Sequence, residues 1–566
     1  MTVADYVTDY LIKCGVTDVF GVPGGVVLKL IYAMENRKTE IKPHLNYHEQ
    51  MAGFSACGYA QAGRGLGVAY ATRGPGIANM ITCMIEAYQE SIPVLFITAH
   101  SNRTEKKMRC EYDQEVDMVE TVKKFTKYAV SIESVSDVQK HMKIACHEAM
   151  DKRKGPVFLD FSARIFGEDI NVDTSDIYDT QENECIEIGD ISDAIECIKD
   201  NLLKYRRPVI LIGDGIRQAN CIELTRKWIP NLNVPVISSR AAQDIVCNTD
   251  IYYGYIGSHG NRYANFILSK ADLIIAIGNR LSFPINSESF KGVIDNAKIL
   301  RFDIDSTEFQ REFPHSVNFC IDIKVLIEAM MSCGIRFDDK HDWIAVCNKI
   351  KSSLNHYDLQ EPVTKIAEYL SQQSKAATYI CDVGNNEFWF SRAFEYIRPV
   401  GQVLYSKTFG TLGSALGRAI GAYYATRDNI VCVVGDQGFQ YNIQELQYIS
   451  YWNLPITIVL LNNMCSAMIR DHERKTFTKD FHVTTETGYS IPDFKKIVEG
   501  YGIKFLNDLA IKNYEMIDNI NCDCPIVYEI TFSRDISLEP NLPKGNPCQS
   551  MVPLIDADLY EYLDKL

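Results

Sequence analysis

Short, unbroken apolar runs recur along this chain, several of them closing on glycine, a carboxylate or an amide. GVAYAT (67–72), PVILIGDG (208–215), NIVCVVGD (429–436) and PITIVLLNN (455–463) are examples. A strand with one wet face alternates apolar and polar residues. Runs without alternation are buried on both faces, as in parallel sheets covered by helices. Here they alternate with helix-like stretches in three series. The first, residues 1–168, contains GVAYAT, IPVLFITA and GPVFLDF. The second, residues 190–335, contains PVILIGDG, VPVISS, ADLIIAIGNR and KILRFDID. The third, residues 360–535, contains TYICDVG, NIVCVVGD, PITIVLLNN and PIVYEITF. The pattern predicts an α/β chain with three doubly wound parallel-sheet domains. Residues 170–188 read as a polar linker, and DDKHDWIAVCNKIKSSLNHYD as a helix-rich connector. The tail, residues 536–566, has four prolines and is expected to pack loosely over a surface.

Composition narrows the partners. The 566 residues, 46% hydrophobic, are enough for several cores. The 58 basic and 73 acidic side chains leave a net charge of −15. That disfavours nucleic acid or an anionic membrane as main partner. Eighteen cysteines occur without CxxC pairs, so neither a zinc site nor a disulfide scaffold is indicated. Reduced thiols and a cytoplasmic location are expected. MTVADYVTDYLIKCG carries Asp5 and Asp9, which is wrong for a signal peptide, and no apolar stretch approaches a membrane span.

Three such domains suit a kinase, a dehydrogenase or a ligase equally, so chemistry must come from particular residues. Asp436 and Asn463 end two of the apolar runs. Parallel strands joined by a crossover helix bring both ends to one sheet edge. Hard oxygen ligands there, above a glycine turn, suit Mg²⁺ and a phosphate. The residues alone leave a second reading open, since Gly-Asp pairs are common and Asn pairs often form turns.

The whole stretch GDQGFQYNIQELQYISYWNLPITIVLLNN (435–463) resembles the diphosphate-binding motif of the thiamine diphosphate (ThDP) enzymes. The match to acetolactate synthases is close through FQYNIQEL and NLPITIVLLNN. The resemblance implies Mg²⁺ bound by Asp436, Asn463 and the carbonyl of Cys465. It makes Gly435, Asp436, Gln437, Gly438 and Met468 cofactor contacts. Gln437 stands where Gly or Ala is usual, and Cys465 replaces a frequent Gly. NYHEQMAGFSACGYAQAGRGLGVAYATRGPGIAN (46–79) resembles the pyrimidine-binding half of the family. Glu49 is thereby the carboxyl that meets the pyrimidine N1′, and Asn79 lies beside the ring. Glu49 opens a small-residue helix, so burial and a raised pKa are expected. DVFGVPGGVVLKLIYAM (18–34) looks like the family's first strand–loop–helix, with Gly25 at a catalytic position. KTFGTLGSALGRAIGAYYA (407–425) implies Leu412 as the wedge that bends the cofactor and Gly410 as acceptor from the 4′-amino group. Gly417 replaces a usual Pro there. DVGNNE (382–387) makes Asn385 and Asn386 diphosphate contacts. The central segments RPVILIGDGIR, YYGYIGSHGNRYANFILSKADLIIAIGNR and FDIDSTEF extend the likeness over nearly the whole chain.

Family membership implies decarboxylation of a 2-oxo acid, with the thiazolium as electron sink. The likeness points to an acetolactate-synthase-like carboligase. Gln114, in the catalytic set, and Arg280, in the substrate pocket, match the synthases. Asp113 replaces an aromatic residue, Ala163 a lysine, and His472 a tryptophan that helps select the second oxo acid. SSRAAQD, MIRDHERKTF and TGYSIPDF also resemble synthase-like proteins of surface-polysaccharide pathways. The acceptor is therefore expected to be polar, a 2-oxo acid or a keto sugar. GSHGNR (257–262) resembles part of a structural FAD site, so FAD is a candidate cofactor. The alternatives are a simple 2-oxo acid decarboxylase, a flavin-linked pyruvate oxidase and a catalytically silent subunit. In this family one site takes its two cofactor-binding domains from different chains, so a homodimer is the minimum and a homotetramer is expected.

Overall fold

The computed structural model describes residues 1–63, 65–101, 113–172, 191–246, 248–335, 340–371, 377–507 and 523–566. Its strands form three parallel six-stranded sheets. The first contains β1 (Asp18–Gly21), β2 (Lys42–Leu45), β3 (Gly67–Tyr70), β4 (Val94–His100), β5 (Tyr128–Ile132) and β6 (Val157–Ser162). The second contains β7 (Pro208–Ile212), β8 (Val236–Ser238), β9 (Tyr252–Tyr255), β10 (Leu273–Ile277), β11 (Lys298–Asp303) and β12 (Ser316–Cys320). The third contains β13 (Ala377–Cys381), β14 (Gly401–Tyr405), β15 (Asn429–Gly435), β16 (Ile456–Asn462), β17 (Lys504–Asn507) and β18 (Ile526–Thr531). Every apolar run named above is a strand. The runs are buried along their length because helices cover both faces, as at Val94–His100.

The first sheet has the order β2-β1-β3-β4-β6-β5 and the third has β14-β13-β15-β16-β18-β17. These are the same topology. The second sheet, β12-β11-β10-β7-β8-β9, is wound differently. Contacts divide the chain into two compact units. One joins the first and third sheets (1–182, 375–387 and 403–534), and the other holds 183–374, 388–402 and 535–566. The expected linker at 170–188 lies almost wholly outside the described residues.

One core of the first unit spans both its sheets, from Phe20 and Phe54 to Ile458 and Val527, and a second, around Val7, Val68 and Leu159, belongs to the first sheet. The seam of the shared core is the packing of helix Glu49–Gly63 on helix Ala415–Thr426. The two helices hold equivalent places, each following the second strand of its sheet in chain order. They touch backbone to backbone. A Cβ on Gly421 would overlap the Ser55 carbonyl, and one on Gly58 would overlap the Arg418 carbonyl. Only glycine permits that approach. Beside the seam Arg418, fully buried, pairs with the equally buried Glu86 and donates to Gln61. Glu445 accepts from the Asn46 side chain at 3.2 Å and the Tyr47 amide at 2.9 Å.

The tail does not lie loose. Leu542, Cys548, Met551 and Leu563 enter the core of the second unit, beside Trp343, Cys347 and Ile350 of the connector helix His341–Leu354. The prolines mark irregular backbone, while the apolar residues between them are what the core takes up.

Two outcomes follow for stability. Gly421→Ala forces overlap in the seam and should cost about 1–3 kcal/mol, as overpacking of a tight core does. Gly292→Ala, with nothing within 4 Å of the added Cβ, should be neutral in the same melt. Equal Tm values for the two variants would contradict the seam. Burial pushes the Glu445 carboxyl from an ordinary 4.5 up to about 7. The native state holds that proton where the unfolded chain has lost it, so stability falls as pH rises from 4.5 to about 7. Glu445→Gln should make that decline of Tm shallower. An unchanged slope would contradict the assignment.

Candidate active site

The C-terminal edge of the third sheet carries the first half of the site. β15 and β16 pair in parallel with Gly435 opposite Leu461. Asp436 and Asn463 therefore leave the sheet side by side, as the strand ends predicted. Both are buried. Asp436 accepts the Cys465 amide at 3.2 Å and the Tyr489 hydroxyl at 2.9 Å. Burial pushes its carboxyl up to about 6, against the pull of those two bonds. The Asn463 side-chain nitrogen is buried without a partner among the described residues. A buried carboxylate beside an unsatisfied amide, with a backbone carbonyl two residues on, fits a hard cation held by oxygens. The Asn463 amide needs only to turn its oxygen inward.

The neighbouring loop, after β13, closes over the same edge. Asn386 donates to the Asp382 carbonyl at 2.6 Å, and Asn385 donates to Asp471 at 3.3 Å. A Cβ on Gly435 would lie 3.3 Å from the Asn386 amide oxygen. One on Gly438 would overlap the Asp382 carboxylate and come within 3.2 Å of Leu412. Asn386, Gly435, Gly438 and Leu412 are thus brought together, with glycine letting this backbone pack closely on the Asp382–Asn386 loop. Gln437, at the unusual position, is half-buried at the start of helix Asp436–Tyr441. Met468 is half-buried on helix Ala467–Phe477, and His472 on the same helix is exposed.

Sequence reasoning missed the residues that hold this edge. Asp382, fully buried, takes the Gly413 amide on both oxygens at 3.0 and 2.9 Å and fixes the wedge loop. Its carboxyl is pushed up to about 7 by burial. Glu90 of helix Ile81–Glu90 accepts the Thr408 amide at 3.0 Å, and Ser406 accepts those of Gly410 and Thr411. Gly410 then sits at φ 74°, exposed, with its wedge neighbour Leu412. Tyr489 lay within a motif singled out by resemblance, but nothing local tied it to Asp436, 53 positions away.

The second half lies at the C-terminal edge of the first sheet. Glu49 opens its helix and accepts from the Asn79 side chain at 3.0 Å. A Cβ on Gly76 would lie 3.4 Å from Glu49 Oε1, and one on Gly74 would lie 2.7 Å from Gln114. The Gly-Pro-Gly turn therefore brings Glu49, Asn79 and Gln114 together, with Asp113 beside Gln114. Glu49 is not buried as expected. It is half-exposed in the chain, and Gly25, Asn79, Asp113 and Gln114 are exposed. The small-residue face of its helix serves the seam instead.

Arg280 follows β10 in the second unit, its carbonyl accepting from Arg311 at 2.7 Å. The GSHGNR loop, expected to meet FAD, spends its polar groups within that unit. Arg262 donates to the Met551 and Pro553 carbonyls at 2.9 and 2.5 Å. Ser258 accepts from the Leu542 amide at 2.8 Å, and Asn261 donates to Asp358 at 3.0 Å. The tail fills this loop, so these residues do not fit an open flavin cradle.

Three family models match the chain, one for each sheet. The thiamine pyrophosphate enzyme N-terminal binding domain matches 1–121, the central domain 195–330 and the C-terminal binding domain 382–520. The acetolactate synthase large subunit of Lactococcus lactis subsp. lactis (strain IL1403) is 28% identical over 569 residues, covering 98% of this chain and 96% of that protein. Acetolactate synthase isozyme 2 large subunit of Escherichia coli (strain K12) is 28% identical, covering 96% and 98%. Acetolactate synthase 1, chloroplastic, of Oryza sativa subsp. japonica is 28% identical, covering 98% and 88%. No described helix is long and apolar enough to cross a membrane. With both cofactor-binding halves present in sequence and geometry, the chain belongs to the thiamine diphosphate-dependent enzymes, as a carboligase-type, acetolactate-synthase-like member.

Proposed function

We propose that the chain decarboxylates a 2-oxo acid, pyruvate first among candidates, and joins the two-carbon fragment to a carbonyl acceptor. The acceptor is a second 2-oxo acid or a keto sugar. The observation that carries this reading is the buried pair of Asp436 and unpartnered Asn463 at one strand edge, opposite the Asn386 loop. These residues, with the Cys465 carbonyl, would hold Mg²⁺ against a diphosphate cradled by Asn385, Asn386, Gly435, Gln437, Gly438 and Met468. Leu412 would bend the cofactor, and the Gly410 carbonyl would accept from its pyrimidine amino group. When bound, ThDP supplies an electron sink for breaking and making carbon–carbon bonds.

The chain's own residues supply position and proton transfer. Glu49, which accepts from Asn79, would be the residue that exchanges a proton with the pyrimidine ring nitrogen. Gln114, packed against the same glycine turn, would face the reacting carbons with Gly25. Asp113, His472 and Arg280 are candidates for holding a polar acceptor. A flavin-linked oxidase is disfavoured because the tail occupies the GSHGNR loop.

The site takes a second copy of the chain. On a single chain Glu49 is half-exposed, and Asn79 and Gln114 are exposed. Leu45, Tyr47, Tyr451 and Trp452 are exposed apolar residues near the Glu445 contact. A homodimer covers both, and two dimers make the expected tetramer.

Glu49→Gln and Asp436→Ala should each abolish turnover, Glu49→Gln while still binding ThDP. Mixed after dissociation, the two inactive proteins should regain about a quarter of wild-type activity, because half the dimers then carry one intact composite site. Full activity of Glu49→Gln would remove the proton relay, and no regain on mixing would put the whole site in one chain.

A further inference from the structure

Behind the glycine turn lies a cleft whose wall includes Arg73, Thr98, His100, Asp113, Gln114 and Asp160. Gly74 packs on Gln114 at its mouth, and Gly76 on the other side of the turn packs toward Glu49. The cleft is therefore one turn of chain from the carboxyl that meets the cofactor.

His100 ends β4, and its ring is held from both sides. Nδ1 lies 2.9 Å from Asp160 Oδ1, and Nε2 lies 3.2 Å from the Glu133 carboxylate. The two partners differ. Asp160 is 3% exposed on β6, the neighbouring strand, and cannot withdraw. The Glu133 side chain is 53% exposed and follows the edge strand β5. Nδ1 is thus fixed and Nε2 is the exchangeable position, with its partner at the solvent rim. Burial alone would lower the imidazolium, but the Asp160 hydrogen bond and the charges of Asp160 and Glu133 outweigh it. The His100 pKa ends above its ordinary 6.5. The other charged groups about the cleft are Arg73 on the turn, Asp113 and Glu115 beside Gln114, and Arg164, which donates to the Glu133 carbonyl at 3.5 Å.

We infer that His100 is the proton donor to the acceptor's carbonyl oxygen during carboligation. The inference rests on the carboligase reading above. As the new carbon–carbon bond forms, the acceptor's C=O π pair moves to oxygen, and the Nε2 proton passes to that oxygen to give the product hydroxyl. Joining two 2-oxo acid anions with loss of one CO₂ consumes one proton, and solvent restores it to the imidazole past Glu133. Asp160 fixes the ring and stabilises its charged form, as a buried carboxylate does for a general acid. A His–Asp pair that only ties β4 to β6 would hold no proton for the substrate, and the two roles separate in kinetics.

The test uses full-length His100→Gln with ThDP and Mg²⁺, pyruvate as donor and pyruvate or dihydroxyacetone as acceptor. Three rates are compared with wild type: exchange of the thiazolium C2 proton in D₂O, CO₂ release with ferricyanide as electron acceptor, and carbon–carbon product formation. The inference expects the first two within about twofold and the third lower by on the order of 100-fold, with its alkaline limb gone. Glu133→Gln should keep the product but move that limb to lower pH, since a charge that raises the His100 pKa is lost. Product formation within about twofold in His100→Gln, or equal loss of all three rates, overturns the inference. Wild type that exchanges the C2 proton but forms no product with either acceptor also counts against it. Wild type without exchange sinks the thiamine diphosphate reading itself.

Discussion

The close approach of helices Glu49–Gly63 and Ala415–Thr426 governs the site-bearing unit. Two sheets of identical winding are joined through it, with glycine and alanine where ordinary side chains would hold the backbones apart. The same contact places what chemistry needs. Glu49 begins one helix, and the wedge loop with Gly410 and Leu412 leads into the other. Movement along this seam would shift both together, each within a site completed by the second copy, so the packing that stabilises the unit also holds its two half-sites in fixed relation.

Buried carboxylates are the second constraint. Glu86, Glu90, Asp382 and Glu445 all lie in the interior. Three of them fasten the wedge loop: Glu86 through Thr411, Glu90 through backbone amides and Asp382 through the Gly413 amide. A carboxylate receiving main-chain amides holds a loop more rigidly than apolar contact does, because it fixes direction as well as distance. Desolvation is the price, visible in the raised pKa values of Asp382 and Glu445. Asp436 shares this environment at the strand edge that also carries the unsatisfied Asn463 amide, and it is the carboxylate we propose as a metal ligand.

Much of this was legible in the sequence because it is local. Unbroken apolar runs marked the parallel strands, and a run ending in Asp or Asn placed that residue at a sheet edge without knowledge of the strand order. That placed Asp436 and Asn463, while reading them as ligands needed the family resemblance. The exposure of Glu49 was not legible. Its small-residue helix signalled close packing correctly, but the packed face is the one away from the carboxyl. Asp382, Tyr489 and His100 needed strand order and long-range pairing to acquire meaning. The tail misled through its prolines, which describe backbone regularity, while Leu542, Met551 and Leu563 decide where it packs.

The central claim is that the Asp436 edge and the Glu49 turn operate one thiamine diphosphate site that makes a carbon–carbon bond. NMR of the purified protein with ThDP, Mg²⁺ and ¹³C-labelled pyruvate tests it most directly, first alone and then with a panel of oxo acids and keto sugars. The account predicts labelled CO₂ together with a labelled two-carbon unit on one acceptor. Labelled acetaldehyde with no carbon–carbon product from any acceptor, or pyruvate left untouched throughout, would contradict it.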